Sequence, residues 1–169
     1  MKHFAAITVE EKKNSKRCKL HIYAGPAVYG GASNEAASRM ETVLARADAL
    51  YAQGVRRHKP VGRDELAETL AGARVMLYRG DPGETFCLAL AEAQAMGVPA
   101  VVQPVGSVVE RIVDGSTGRI AVSDGEFAEA AIAVLLDDNL WRRWHHQALA
   151  TQRGLSWDEV AARYEALIG

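Results

Sequence analysis

The chain has 169 residues, 49% of them hydrophobic and 24% charged, with a formal net charge of -1. That suffices for one domain with a real core, and the near-neutral balance supplies no field that would favour nucleic acid. No apolar run approaches the roughly 18 residues of a membrane span, and the two cysteines, Cys18 and Cys87, form no C-x-x-C pair.

Residues 3–17 are ambiguous: Phe4, Ile7 and Glu11 fit helical spacing, whereas Ile7-Thr8-Val9 suits a strand, and the helix is the reading preferred here. Lys12, Lys13, Lys16, Arg17 and Lys19 form a basic run, partly offset by Glu10 and Glu11. It reads as a solvated helix end and turn, with docking on acidic lipid as the alternative. Lys19–Ala24 is a strand stopped by Gly25-Pro26, followed by a loop to Ala32. Ser33 or Asn34 caps a helix carrying Met40, Val43, Leu44, Ala47 and Tyr51, ended by Gly54. Val55–Lys59 is a short edge strand, and Asp64 caps a short helix with Leu66 and Leu70 that closes at Gly72.

Arg74–Tyr78 is a strand leading into the loop Arg79-Gly80-Asp81-Pro82-Gly83. A helix bearing Glu92 follows, then the strand Pro99–Val102, a short helix from Ser107 to Val113 and a strand from Gly118 to Val122. Three helices, around 126–136, 139–152 and 156–168, finish the chain. Strands alternating with helices predict an α/β domain over residues 1–169, a doubly wound, Rossmann-like parallel sheet covered on both faces.

The stretch Glu84-Thr85-Phe86-Cys87-Leu88-Ala89-Leu90-Ala91-Glu92 sets two carboxylates eight residues apart. Read as one helix, it puts Glu92 about 12 Å beyond Glu84 at ~1.5 Å per residue. The first helical turn leaves N–H groups unpaired at the positive end of the dipole, which is a phosphate cradle. Glu84 would repel a phosphate in contact with it and suits sugar hydroxyls instead. Glu92 lies among apolar neighbours, where a carboxylate is costly unless paired. Spacing alone leaves a second account open: Glu84 as a helix-start charge and Glu92 as a surface ion-pair partner.

Other candidates carry less. His145 and His146 are adjacent, so they point about 100° apart on a helix and make a poor metal pair. Trp141, Trp144 and Trp157 read as packing anchors, and His58, among Arg56, Arg57 and Lys59, as part of a solvated cluster that could alternatively face phosphate. Cys87 has no histidine nearby in sequence to activate it. Gly25, Gly30 and Gly31 fit no G-x-G-x-x-G and read as turn residues bordering a ligand.

Glu84-x7-Glu92, with Phe86 after the first Glu and Ala93 and Gly97-Val98-Pro99 after the second, resembles the donor-site motif of retaining glycosyltransferases of the GT-B fold, the set often called glycosyltransferase group 1. Gly106–Gly118 is similar to the family's G-x3-E-x-I-x-D-G-x-x-G segment, Ser156–Val160 to its S-W-x-x-V helix, and Gly62–Leu66 to its short helix near the nucleotide base. These motifs agree in order over roughly residues 19–168.

The resemblance implies roles. Glu84, the catalytic-site carboxylate, contacts donor-sugar hydroxyls, and Glu92 holds the nucleotide ribose. Thr85, Phe86, Cys87 and Leu88 offer backbone N–H groups to sugar and diphosphate, and Lys59, Pro60 and Val61 lie along the base. The substrate is a nucleoside-diphosphate sugar, with no metal and no other cofactor. Two departures stand out: Cys87 occupies a position where the family usually has Gly, and no R-x4-K that would grip the diphosphate is present.

The resulting expectation is the C-terminal, donor-binding half of a GT-B enzyme, without the family's first strand and N-terminal acceptor domain, and inactive alone. The alternatives are a donor-binding subunit that works with a separate acceptor-domain chain, and a non-catalytic nucleotide-sugar sensor or interaction module. Free thiols and the absence of a secretory signal at Met1-Lys2-His3-Phe4 suit a cytoplasmic setting, peripheral to the membrane at most in the parent enzyme.

Overall fold

The computed structural model describes residues 4–12, 15–23, 34–152 and 156–168. Six strands, β1 (Phe4–Lys12), β2 (Ser15–Tyr23), β3 (Val55–His58), β4 (Val75–Tyr78), β5 (Ala100–Val102) and β6 (Gly118–Ile120), form one sheet in the order β3-β2-β1-β4-β5-β6. The helices are α1 (Asn34–Ala49), α2 (Arg63–Ala71), α3 (Leu88–Ala95), α4 (Asp124–Leu136), α5 (Asp138–Gln152) and α6 (Trp157–Ile168).

Every neighbouring pair is parallel except those made by β1, which is antiparallel to β2 on one side and to β4 on the other. The sheet is therefore the expected α/β arrangement with one strand reversed near its middle. The helix expected over residues 3–17 is not formed. The Ala, Glu and Lys content of this segment favours helix locally, but β4 would then present a bare hydrogen-bonding edge inside the sheet. Pairing along Phe4–Lys12 with β2 and along Ala5–Ile7 with β4 overrides propensity. In this register Glu10 lies opposite Arg17 and Glu11 opposite Lys16.

Two cores form on the two faces of the sheet, and side chains alternate between them. Met76, Ala100 and Val102 join Leu70 of α2 and Ala89, Leu90 and Ala93 of α3 in one. Val75, Val101 and Ile7 join Ala131, Val134 and Leu135 of α4 and Trp144 of α5 in the other. Burial on both faces explains why β4 and β5 read as unbroken apolar runs. Arg74 pins the second layer: its Nε donates to the Val134 carbonyl at 3.1 Å and its Nη2 reaches Asp138 at 2.6 Å. Trp141 and Trp144 donate to the carbonyls of Arg74 and Gly115, which makes them packing anchors as expected. Trp157 lies at the start of α6, where the reciprocal Ser156–Glu159 bonds form a capping box.

α3 is short, and both its ends are specified. Its side chain Gln94 is fully buried and donates to the carbonyls of Val98 and Thr117, tying the helix to the strands below. At its C-terminus Gly97 takes φ +76°, with Val98 N–H bonded to Ala93 O and Gly97 N–H to Gln94 O, a Schellman-type end. His145 of α5 sits against this turn, its Nδ1 2.6 Å from the Gly97 carbonyl. A Cβ on Gly97 would lie 2.6 Å from the His145 ring. Gly97→Ala thus combines a left-handed conformation with overpacking, and unfolding free energy should fall by about 2–3 kcal/mol. Denaturant melts of the two proteins test this; unchanged stability would mean that α5 does not press on the end of α3.

Candidate functional site

In sheets of this kind, ligands bind beyond the carboxyl ends of the parallel strands. The described loops at that edge are residues 59–62 after β3, 79–87 after β4, 103–105 after β5 and 121–123 after β6. The loop after β2, with Gly25, Gly30, Gly31 and Ser33, lies outside the described residues. The 79–87 loop folds on itself: Asp81 accepts from Gly83 N–H through its side chain and from Glu84 N–H through its carbonyl. The loop after β5 clamps it. Ser107 N–H donates to the Glu84 carbonyl at 3.1 Å, and Gly106, at φ +62°, lies so close that a Cβ there would collide with the Asp81 carbonyl.

Glu84 is partly exposed and its carboxylate is held at both oxygens. Oε1 accepts from Cys87 N–H at 2.8 Å, and Oε2 accepts from the Tyr78 hydroxyl at 3.0 Å. Burial alone would raise its pKa, but the N–H groups of Cys87 and Phe86 and the Tyr78 hydroxyl outweigh that and hold the carboxyl below its ordinary value. Burial first, then the adjacent Cys87 and Glu84, push Tyr78 up, so that it stays a neutral donor.

The expected single helix from Glu84 to Glu92 is corrected here. Residues 84–87 are not helical and α3 begins at Leu88, so the 12 Å separation does not apply. Cys87 is the reason: it caps α3 in the left-handed region at φ 55°, ψ 63° and is 1% exposed. No other non-glycine residue among those described has a positive φ. Glycine carries no steric cost in this conformation, whereas the cysteine present here bears one. The Cys87 carbonyl accepts from Leu90 and Ala91, whereas the N–H groups of Leu88 and Ala89 find no acceptor among the described residues.

Glu92 lies on the second turn of α3, about 6 Å along the axis from Leu88. It is partly buried and faces Arg63, whose Nε is 3.9 Å from Oε1. Arg63 is the first residue of α2, directly after the loop holding Lys59, Pro60 and Val61. Lys59 is exposed, and Val61 packs against the core that contains α3. Thr85, Phe86 and Leu88 are exposed, and the Arg111 guanidinium lies 4.4 Å over the Phe86 ring. The structure thus gathers Glu84, Thr85, Phe86, Cys87, Leu88 and Glu92 around one helix start and brings the Lys59–Val61 loop alongside Glu92 through Arg63. Tyr78, Arg63 and Arg111 were missed by sequence reasoning. Arg63 and Arg111 lay within quoted motifs, but the contacts of Arg111 and of Tyr78 depend on folding.

The basic cluster around His58 is dismantled by the fold. Arg56 stacks on Tyr51 and Arg57 pairs with Asp48. His58 stacks on Tyr23 and contacts His21 Nδ1 at 2.9 Å, and burial lowers its pKa despite the nearby Glu65. It is partly buried and held in a ring stack with Tyr23 and His21 rather than in a cluster of cations. The Lys12–Lys19 run is strand rather than helix end, and Lys12 pairs with Ser15 at the end of the hairpin remote from Tyr23 and the ligand edge; Lys13 lies outside the described residues. His145 stacks on Trp141. Among the described residues, no group of three metal-ligating side chains converges, and no helix is long and apolar enough to cross a membrane.

The family model described as glycosyl transferases group 1 matches residues 2–138. The D-inositol 3-phosphate glycosyltransferase of Streptomyces coelicolor is 29% identical over 160 residues, covering 93% of this chain and 34% of the relative. The enzyme of the same name from Xylanimonas cellulosilytica is 35% identical over 142 residues, covering 80% and 33%. The chain thus spans about a third of the length of these curated relatives. Sucrose-phosphate synthase from Thermosynechococcus elongatus superposes with a TM-score of 0.65 at 21% identity, over 88% of this chain and 37% of that one. This likeness shows the fold, that of GT-B proteins.

Cys87 offers a stability test of the helix start. Glycine there relieves about 1–2 kcal/mol of left-handed strain and loses the packing of one small buried side chain. Cys87→Gly should therefore melt within about 1 kcal/mol of the parent, and Cys87→Val should lose about 2 kcal/mol or more, because a β-branched residue is strained there. Equal stability of the glycine and valine variants would place Cys87 outside the left-handed region.

Proposed function

This chain belongs to the group 1 glycosyl transferases, and we propose that it forms the nucleotide-sugar donor-binding domain of a retaining member. The observation that carries the proposal is the order of groups along one loop and helix. The carboxylate of Glu84 comes first, then the open amides of Leu88 and Ala89, then the carboxylate of Glu92. A nucleoside-diphosphate sugar presents hydroxyls, two phosphates and a second set of hydroxyls in the same order. The helix start meets the phosphates with unpaired N–H groups and a positive dipole end. Glu84 accepts from the donor-sugar hydroxyls next to the reacting carbon. Glu92 accepts from the ribose hydroxyls in place of the loose contact with Arg63, and the loop Lys59–Val61 flanks the base.

On this reading the diphosphate charge is met by protein groups, with no metal and no further cofactor. Transfer also requires an acceptor held against the anomeric carbon. Because the chain spans about a third of its relatives, we assign that surface to protein outside these 169 residues, in cis or on a partner chain.

Calorimetry with UDP, GDP and ADP tests the site. Binding with dissociation constants of about 0.1–1 mM, equivalent to about -5.5 to -4 kcal/mol, is expected, without glycosyl transfer by these residues alone. Glu92→Gln should weaken nucleoside diphosphates by about 1–2 kcal/mol, the size of a charge-assisted hydrogen bond. Glu84→Ala should spare nucleoside diphosphates and weaken only the matching sugar nucleotide. Unchanged affinity in a folded Glu92→Gln protein would remove Glu92 from the site, and transfer by these residues alone would require a complete active site within them.

A further inference from the structure

Tyr78 ends β4, and its hydroxyl reaches across the loop to Oε2 of Glu84 at 3.0 Å while Cys87 N–H holds Oε1 at 2.8 Å. The two donors stand at opposite ends of the 79–87 loop, one on a strand and one at a helix cap. Together they fix the carboxylate plane, because rotation about its last torsion would break one bond or the other. The Tyr78 ring packs against the core under α3, and its raised pKa keeps the hydroxyl protonated. An ionised carboxylate offers about four acceptor positions, so the two oxygens of the partly exposed Glu84 keep capacity for further donors.

We propose that Tyr78 is a positioning residue that orients Glu84 towards the hydroxyls of a bound donor sugar and so sets the preference for a sugar nucleotide over the bare nucleoside diphosphate. The proposal rests on the donor-site reading above and adds to it the group that acts through Glu84. Phenylalanine preserves the packed ring and removes only the hydroxyl.

UDP, GDP and ADP, together with UDP-glucose, UDP-N-acetylglucosamine and GDP-mannose, are titrated calorimetrically into the chain and into its Tyr78→Phe, Glu84→Ala and doubly substituted forms, with thermal melts confirming that each is folded. Tyr78→Phe should weaken the preferred sugar nucleotide about five- to tenfold and leave the corresponding nucleoside diphosphate unchanged. In the Glu84→Ala background the same substitution should have no further effect. Equal weakening of both ligands, an unchanged sugar-nucleotide affinity, or a Tyr78→Phe effect that persists without Glu84 would each overturn the proposal. Failure of the unsubstituted chain to bind any of the six ligands would instead overturn the donor-site reading and take this proposal with it.

Discussion

The carboxylate of Glu84 ties together the two ends of the loop before α3. It accepts from the N–H of the N-cap residue Cys87, whose own side chain makes no capping bond. By accepting from Tyr78 it ties that cap to the end of β4. The helix is only eight residues long, too short to stand without tertiary support. Its position therefore depends on this junction at one end, on Gly97 and His145 at the other, and on Gln94 beneath. A carboxylate bonded at both oxygens to donors of its own chain would usually be read as structural. Here the same bonds leave the next two amides of the helix open, so a structural and a ligand-facing role are compatible.

The two acidic residues differ in how the protein holds them. Glu84 is fixed at both oxygens at 3.0 Å or less, whereas Glu92 has Arg63 at 3.9 Å, a distance at which an exposed pair contributes little. A fixed carboxylate suits a reacting centre, where orientation matters most. On the donor-site proposal, the long contact with Arg63 is one that ribose hydroxyls replace at small cost. The Arg63 side chain is 86% exposed, so withdrawing it from Glu92 buries or uncovers almost nothing.

Much of this was legible in the residues. β4 and β5 announced themselves as apolar runs because both faces of the sheet are covered, and α4, α5 and α6 lie close to the three spans expected at the end of the chain. The ordered motifs from Gly62 to Val160 pointed to the family. What escaped was non-local. β1 is a strand because β2 and β4 both need its hydrogen bonds, and nothing within Phe4–Lys12 records the need of β4. The late start of α3 escaped because a cysteine carries no mark of a positive φ, although a glycine in its place would have. Tyr78 and Arg111 acquire their roles only when the loop after β4 folds back over the strand end and the residues after β5 close against it.

The reversed strand also divides the molecule. β1 is paired with β2 along nine residues and with β4 along three, as many as join β4 to β5 and β5 to β6, and it forms the antiparallel seam between the two halves of the sheet. The strands on one side carry the Lys59–Val61 loop, and those on the other carry Glu84 and Glu92. Apolar packing bridges this seam on both faces, through Tyr23, Leu70 and their neighbours on one and through Ile7, Leu20 and Val75 on the other. A molecule that touched both sides at once would act as a staple across the seam, so occupancy would be felt as stiffness in β1, whose own residues it never meets.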